Sequence, residues 1–484
     1  MTVQPAGFED STFHIPVLET DNRDLDMAFR IAVGDIASNI QPYEGGMLNG
    51  TEPAVMAGVN YDRPWTRDAA INAWNACGYI TPSIARNTLL SVLTTSEGEP
   101  GIGGQYWDAI IWTTGAWNYY LYTGDIAFLK LAYECTLNTI QYLEKREFDE
   151  QSNLFRGAAC YGDGVAAYPD YYAKVGGGSG ILAWPENNPD KKVSEGYGLP
   201  MKALSTNCLY YNCYNILNRM ENILDLNAGI DWTRKAEDLR TAINHYFWDE
   251  DRGRYLYLAD SPVNSEHQEG LGHSFAVIFG VADGEQCEQL FKHQHITNAG
   301  IPCVWPTYDR YAKDSDSYGR HSGTVWPHVQ GFWATAASTH NKMDIFRHEL
   351  FRLAENASRD MQFVEIYHPD TSRPYGGYQE GGGSITMTRS ADRQTWSATA
   401  FLRMVTMGLA GLKFSEEGIT LSPCVPSCLE KVKLSNLRFR NMNLDIEING
   451  NGQQTESVSI NGKEADPFIA YQEQGKLNVR IEMA

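Results

Sequence analysis

The stretch WDAIIWTTGAWNYYLY (residues 107–122), carried across Gly124-Asp125 into DIAFLKLAYECTLNTIQYLEKR (residues 125–146), decides the fold. Both halves carry apolar residues at helical spacing, and the short polar connector is the kind that joins an antiparallel helix pair. The same spacing recurs along the chain. Leu25, Ala28, Phe29, Ala32, Ile36 and Ile40 line one helix face, and comparable segments follow at about 67–78, 82–95, 203–223, 231–247, 269–280, 284–293, 323–339, 342–358 and 394–411. About twelve helices therefore fill residues 24 to 411. Their connectors are of two kinds. Some are short and polar, whereas 96–106, 155–202, 296–322 and 360–393 are long and rich in Gly, Trp and Tyr. Long connectors inside a compact domain are usually functional, so these are read as ordered, site-forming loops. Six helical hairpins with elaborate loops on one side predict a closed double ring of helices.

Beyond residue 415 the period changes to two. Val432/Leu434, Leu437/Phe439 and Leu444/Ile446/Ile448 alternate with polar residues, and Asn449-Gly450-Asn451-Gly452 and Asn461-Gly462 are hairpin-turn sequences. The expected organisation is an N-terminal arm (1–23), a helical domain (24–414) and a small antiparallel β domain (415–484).

Composition narrows the function. The 484 residues are 43% hydrophobic and 20% charged, so core material is ample and the chain is neither disordered nor fibrous. A net charge of −21 argues against nucleic acid or an anionic membrane surface as partner, but not against a neutral substrate. No apolar run is long enough to span a bilayer, and the N-terminus as given shows no secretory leader, which points to the cytoplasm. The nine cysteines are scattered, with no CxxC pair, and are read as reduced, buried thiols rather than a disulfide or zinc framework.

Three clusters carry candidate chemistry. In Asn60-Tyr61-Asp62-Arg63-Pro64-Trp65-Thr66-Arg67-Asp68, an aromatic ring stands beside a forked donor and an acceptor, a trio suited to a sugar's apolar face and hydroxyls. In Gln105-Tyr106-Trp107-Asp108-Ala109-Ile110, bulky neighbours would desolvate Asp108, raise its pKa and keep it protonated as a general acid must be. In Tyr375-Gly376-Gly377-Tyr378-Gln379-Glu380-Gly381, a solitary carboxylate amid glycines and aromatics suits a base that polarises water. Each has a plain structural alternative: Asp68 and Asp108 as first-turn helix carboxylates, Glu380 as a solvated loop residue. Asp163, Glu195 and His321 are weaker candidates, and Trp305, Trp326 and His328 are expected near the same cavity. There is no GxGxxG before a helix, no Walker loop, no HExxH and no GxSxG elbow, which disfavours nucleotide, zinc-protease and serine-hydrolase chemistry.

Taken in order, Tyr61-x-x-Pro64-Trp65-Thr66-Arg67-Asp68, the Trp107-Asp108 helix start, Asn207-Cys-Leu-Tyr210-Tyr211, Gly323-Thr-Val-Trp326-Pro327 and the Gln379-Glu380 loop upstream of Trp396-Ser397 resemble the six-hairpin glycosidases. The glucosidase domain of glycogen-debranching enzymes is the nearest likeness, with similarity to glucoamylase, trehalase and processing α-glucosidase. The β tail resembles the domain that follows the barrel in α-rhamnosidases and disaccharide phosphorylases. The resemblance implies an (α/α)6 barrel and no metal or organic cofactor. It also implies Asp108 as acid, Glu380 as base, and Arg67 and Asp68 holding the sugar whose bond is cleaved. Tyr61, Trp65, Trp107, Asp163, Asn207, Trp326 and Tyr378 complete the expected sugar-binding set. The Glu380 loop lacks the Glu-x-Phe-Asp continuation of debranching enzymes, and their large N-terminal domains are missing, so a small oligosaccharide or glycoside is the expected substrate. The reading is an inverting glycoside hydrolase acting on α-glucosides, with its carboxyls about 6.5–9.5 Å apart. Rival readings are a disaccharide phosphorylase or α-rhamnosidase-like enzyme on the same barrel, a sugar epimerase or isomerase using paired histidines, and a non-catalytic sugar-binding protein.

Overall fold

The computed structural model describes residues 14–96, 98–173, 178–259, 264–381 and 383–484. The first thirteen residues of the expected N-terminal arm and Gly382 of the glycine-rich loop lie outside them. Twelve helices of seven or more residues occur among the described residues. They are α1 (Arg23–Ser38), α2 (Thr66–Asn72), α3 (Pro82–Ser91), α4 (Ile111–Thr123), α5 (Ile126–Glu147), α6 (Leu204–Leu224), α7 (Trp232–Phe247), α8 (Gly270–Ile278), α9 (Gly284–His293), α10 (Pro327–Thr339), α11 (Met343–Asp360) and α12 (Thr395–Arg403).

The α4–α5 pair shows how local chemistry sets this pattern. Gly124 ends α4 in the left-handed region at φ 71°, where a Cβ would be strained, and its amide donates to Tyr120 O at 2.7 Å. Asp125 then caps α5, its Oδ1 accepting from Phe128 N at 2.9 Å. Helix α4 is buried almost all round, whereas α5 buries one stripe and leaves the rest to solvent. That difference separates inner from outer helices. The even-numbered helices touch in succession, α2 to α4, α6, α8, α10 and α12, and α12 packs back against α2. Odd-numbered helices such as α1, α3, α5, α7 and α11 lie against them. Helices α2 and α12 each run on into a π-helical turn, 73–77 and 404–409. No helix among the described residues is long and apolar enough to cross a membrane.

The strands that matter here are β1 (Val17–Thr20), the hairpin β2 (Tyr378–Gly381) and β3 (Ser384–Met387), and the C-terminal set. That set comprises β4 (Leu412–Phe414), β5 (Gly418–Leu421), β6 (Lys431–Phe439), β7 (Met442–Asn449), β8 (Thr455–Ile460), β9 (Lys463–Glu464), β10 (Phe468–Ala470) and β11 (Gly475–Met483). A six-stranded sheet runs β1-β6-β7-β11-β8-β9, and β4-β5-β10 form a second. Two expectations need correction. The large sheet is mixed, because β7 and β11 pair in parallel. The cause is that β11 inserts between β7 and β8, so Asn449–Gly452 is not the hairpin turn its residue types suggested. Asn461-Gly462 does form one, both residues at positive φ between β8 and β9. Strand β1 also joins this sheet, pairing Val17–Thr20 with β6, so part of the N-terminal arm is built into it. Phe439 packs on Tyr79 and Tyr122, and Arg440 caps the end of α4 by donating to Tyr122 O (2.7 Å) and Leu121 O (3.2 Å). The sheet is thereby anchored to the helical part.

Candidate active site

A cavity of about 230 Å³ opens where several inner helices begin. Trp65, Arg67 and Asp68 come from the start of α2, Trp326 from the residue before Pro327 of α10, and Gln394 and Trp396 from the start of α12. The long connectors supply the rest: Gln105, then Tyr161, Asp163 and Gly164, then Arg320 and His321, then Glu365 and Gln379. Three carboxylates thus line one small space, Asp68, Asp163 and Glu365. The N-terminal ends of α10 and α12 bring partial positive charge to the same place.

One arginine organises the acidic side. Arg67 is buried, and its Nη1 donates to Asp108 Oδ2 at 2.5 Å and to Gln105 Oε1 at 3.2 Å. Its Nη2 stands 3.6 Å from Asp163 Oδ2, and the guanidinium lies 5.8 Å from the Trp396 ring centre. Burial pushes Asp68 up to about 7 against the pull of Arg67, and the charges of Glu365, Asp163 and Asp108 add to the rise. Asp68 Oδ1 has no hydrogen-bond partner among the described residues, which leaves it free to accept from a ligand hydroxyl. Burial likewise raises Asp108 to about 7, again opposed by Arg67.

Glu365 is held differently. Its Oε1 accepts from Tyr61 OH at 3.0 Å and its Oε2 from Arg320 Nη2 at 2.6 Å. The segment is fixed by the Glu365 amide donating to Ala391 O (2.9 Å) and by Phe363 N donating to Asp35 Oδ2 (2.8 Å). Gly377 lets the β2 hairpin run against this region, since a Cβ there would lie 2.5 Å from Arg320 Cα at φ 75°. His321 stands 3.6 Å from Asp163 Oδ1, beyond hydrogen-bond range, and stacks on Trp326 at 4.9 Å. Burial pulls its pKa down to about 3, so the ring is neutral and offers Asp163 no counter-charge. His328, stacked on Trp396 at 4.2 Å, is pushed well below its usual value by burial as well.

The expected residues therefore separate. Tyr61, Trp65, Arg67, Asp68, Asp163 and Trp326 line the cavity. Asp108, Glu380, Trp107, Asn207 and Tyr378 do not. Asp108 is buried as its neighbours implied, but behind Arg67. Glu380 follows Gln379 in a strand, and successive side chains leave a strand on opposite sides. Gln379 reaches the cavity, while Glu380 accepts from Arg310 Nε (2.9 Å) and Tyr311 OH (2.5 Å). Arg310 also donates to Asp170 Oδ1, Val165 O and Tyr168 O, so this ion pair ties the hairpin to the loop that carries Asp163. Asn207 is a clamp, bonding both backbone groups of Phe155. Trp107 is core, Tyr378 lies under Lys313 Nζ at 4.0 Å, and Trp305 stacks on His295 instead of entering the cavity. Among the cavity's acids, the one that sequence reasoning missed is Glu365. Its signal was a lone carboxylate inside the apolar run Phe363-Val364-Glu365-Ile366-Tyr367, a place where charge survives only with a partner.

Asp316, His368 and Asp370 bring ligand-type atoms within 4.8 Å of one another. His368 Nδ1, however, accepts from the amides of Asp370 and Thr371, which puts the ring proton on Nε2, where it is donated to Asp316. The trio is a hydrogen-bonded loop clamp.

Comparison with known proteins bears on this geometry. The family described as "Mannosylglycerate hydrolase MGH1-like glycoside hydrolase domain" matches residues 105–397. No curated protein gives a significant match. Among solved structures, one titled a sialidase aligns at TM-score 0.64 and 14% identity over 93% of this chain and 40% of its own. A GH78 family rhamnosidase of Bacillus sp. GL1 aligns at 0.57 and 13% over 90% and 42%. The chain thus spans about two fifths of the length of each. A GH63 mannosylglycerate hydrolase from Thermus thermophilus, in complex with Tris and D-glycerate, aligns at 0.59 and 12% over 78% of this chain and all of its own. At such identities these likenesses show shared fold. The family match covers more than half of the chain and includes Asp163, Arg320 and Glu365, and this chain belongs to the MGH1-like glycoside hydrolase family.

Proposed function

We propose that the protein hydrolyses a small α-linked glycoside with inversion of configuration, using Asp163 as general acid and Glu365 as general base. In this reading residues 24–414 form an (α/α)6 catalytic barrel and residues 415–484 an appended β domain. The ring of even-numbered helices and the likeness to the GH63 and GH78 structures support that assignment. The observation that carries the chemistry is that Asp163 and Glu365 line one cavity from the α5–α6 and α11–α12 connectors, where the sequence had suggested Asp108 and Glu380.

Exposure divides the roles. The Asp163 side chain is 38% exposed, placing it toward the opening through which an aglycone leaves. That of Glu365 is 3% exposed, which suits a base that activates water away from bulk solvent. The proton passes from Asp163 to the glycosidic oxygen, while Glu365 takes one from the attacking water. Asp68, with its unpartnered oxygen, accepts from the sugar in the cleaved subsite, Arg67 donates to it, and Trp65 offers a half-exposed ring to its apolar face. The small cavity suits one hexose and a small aglycone. Motif order shared with debranching glucosidases supports glucose as that hexose, and the family's name supports mannose on a small acidic aglycone. A phosphorolytic mechanism is disfavoured because the lining arginines, Arg67 and Arg320, are each already engaged by a carboxylate.

The test is a panel of α-glucosides and α-mannosides, including mannosylglycerate, with product anomer followed by NMR. Asp163→Asn and Glu365→Gln should each lower kcat by at least about 10²-fold, and Glu380→Gln should not approach that loss. Full activity in either of the first two variants removes that residue from the mechanism.

A further inference from the structure

Three inner helices lead from the first cavity to a second one of about 280 Å³. Arg67 lies at the start of α2, and Trp74 just beyond its end lines the second cavity. Trp326 precedes α10, whose Thr335 and Thr339 reach the second cavity, and α12 carries Trp396 near its start and Arg403 at its end. Both π-helical turns flank this space, with Trp74 in one and Met407 in the other. Such turns interrupt regular helices mostly at functional places.

Arg403 is the unusual group. It is 2% exposed, yet its Nε donates to Thr335 Oγ1 (2.9 Å) and its Nη1 to Asn75 Oδ1 (3.3 Å), both neutral acceptors. Its guanidinium lies over the rings of Trp74 (4.4 Å) and Phe332 (4.7 Å). Among the described residues Nη2 donates to nothing, and no carboxylate lines the cavity. Lys413 and Arg219 stand at the same space, Arg219 paired outward with Glu416 at 3.5 Å. Three cationic side chains thus converge in a protein of net charge −21. Helix C-termini at this end favour positive charge, but none of Arg403's hydrogen bonds goes to their carbonyls, so that field does not complete its bonding. A buried cation without a counter-ion calls for one, and aromatic walls call for an apolar body attached to it.

We propose that this second cavity binds a small organic anion, its carboxylate paired with the free edge of Arg403 and its apolar part lying among Trp74, Trp117 and Phe279. The planar fork of arginine suits a carboxylate, and the neighbouring indoles report occupancy directly.

Titration of the full chain with benzoate and with benzyl alcohol, its neutral counterpart, tests this by calorimetry and tryptophan fluorescence. Benzoate should bind one-to-one, at least about tenfold tighter than benzyl alcohol. Arg403→Lys, which keeps the charge but loses the fork, and Thr339→Trp, which fills the exposed rim, should each weaken benzoate by about tenfold or more. Lys413→Glu should weaken it less, and glycoside hydrolysis should be unchanged in the two rim variants. Thr339→Trp and Lys413→Glu alter exposed positions, so they remain informative if Arg403 variants misfold. Equal binding of the two probes, no benzoate binding at up to about 10 mM, or undiminished binding in both rim variants would each overturn the proposal.

Discussion

Glu269, the residue before α8, is fully buried, with Ser205 N donating to its Oε2 at 3.0 Å and no partner for Oε1 among the described residues. Burial pushes its pKa from 4.5 to about 8, and the Ser205 bonds oppose the rise only in part. The folded state therefore binds a proton that the unfolded chain releases from about pH 4.5 upward, so stability falls as pH rises, up to the folded value near 8. Between pH 5 and 8 the linkage relation gives a loss of about 3–4 kcal/mol from this group alone. Glu269→Gln removes the titration and keeps the shape and the acceptor for Ser205. Any constant cost of the new amide cancels when one protein is compared across pH. Urea unfolding of both proteins at pH 5 and 8 should show the variant losing about 3–4 kcal/mol less than the parent over that interval. Parallel losses, within about 1 kcal/mol, would refute the idea that this carboxyl is held protonated in the folded protein.

Other outcomes follow from the same geometry. Asp108→Asn leaves Arg67 with Asp163 as its remaining close carboxylate and should lower stability by about 3 kcal/mol, with a loss of kcat/KM that urea midpoints and kinetics record separately. Trp65→Ala removes a half-exposed ring platform and should raise KM about tenfold with little change in kcat, as steady-state kinetics would show. Arg310→Met cuts the link between Glu380 and the loop at 165–170, and should make that loop more susceptible to limited proteolysis and weaken substrate binding more than Glu380→Gln does.

The helices were legible because their physics is local. Phe128, Leu129 and Ala132 repeat at three and four residues, and Gly124-Asp125 carries both a stop and a start signal. The start of α2 was legible for a related reason, since Trp65, Arg67 and Asp68 lie within one helical turn and must travel together. The carboxylates of the long loops were harder to read. The neighbours of Asp108 told correctly of desolvation, but not whether core or cavity would supply it. Asp163 sits between two glycines, and nothing local says that Arg67, ninety-six positions earlier, lies beside it. Choosing between Gln379 and Glu380 requires the pleat of one short hairpin, and a shift of one residue exchanges them. Glu365 belongs to a run that reads as core until Arg320 and Tyr61 are seen to hold its oxygens.

The parallel pairing of β7 with β11 has a bearing on biogenesis. The segment at 17–20 leaves the ribosome more than four hundred residues before its hydrogen-bonding partner at 431–439, and the strand that fills the middle of the sheet is complete only at residue 483. The sheet therefore cannot assemble until residue 483 has emerged, and nascent chains stalled short of that point would carry an incomplete β layer beside the helices it packs on.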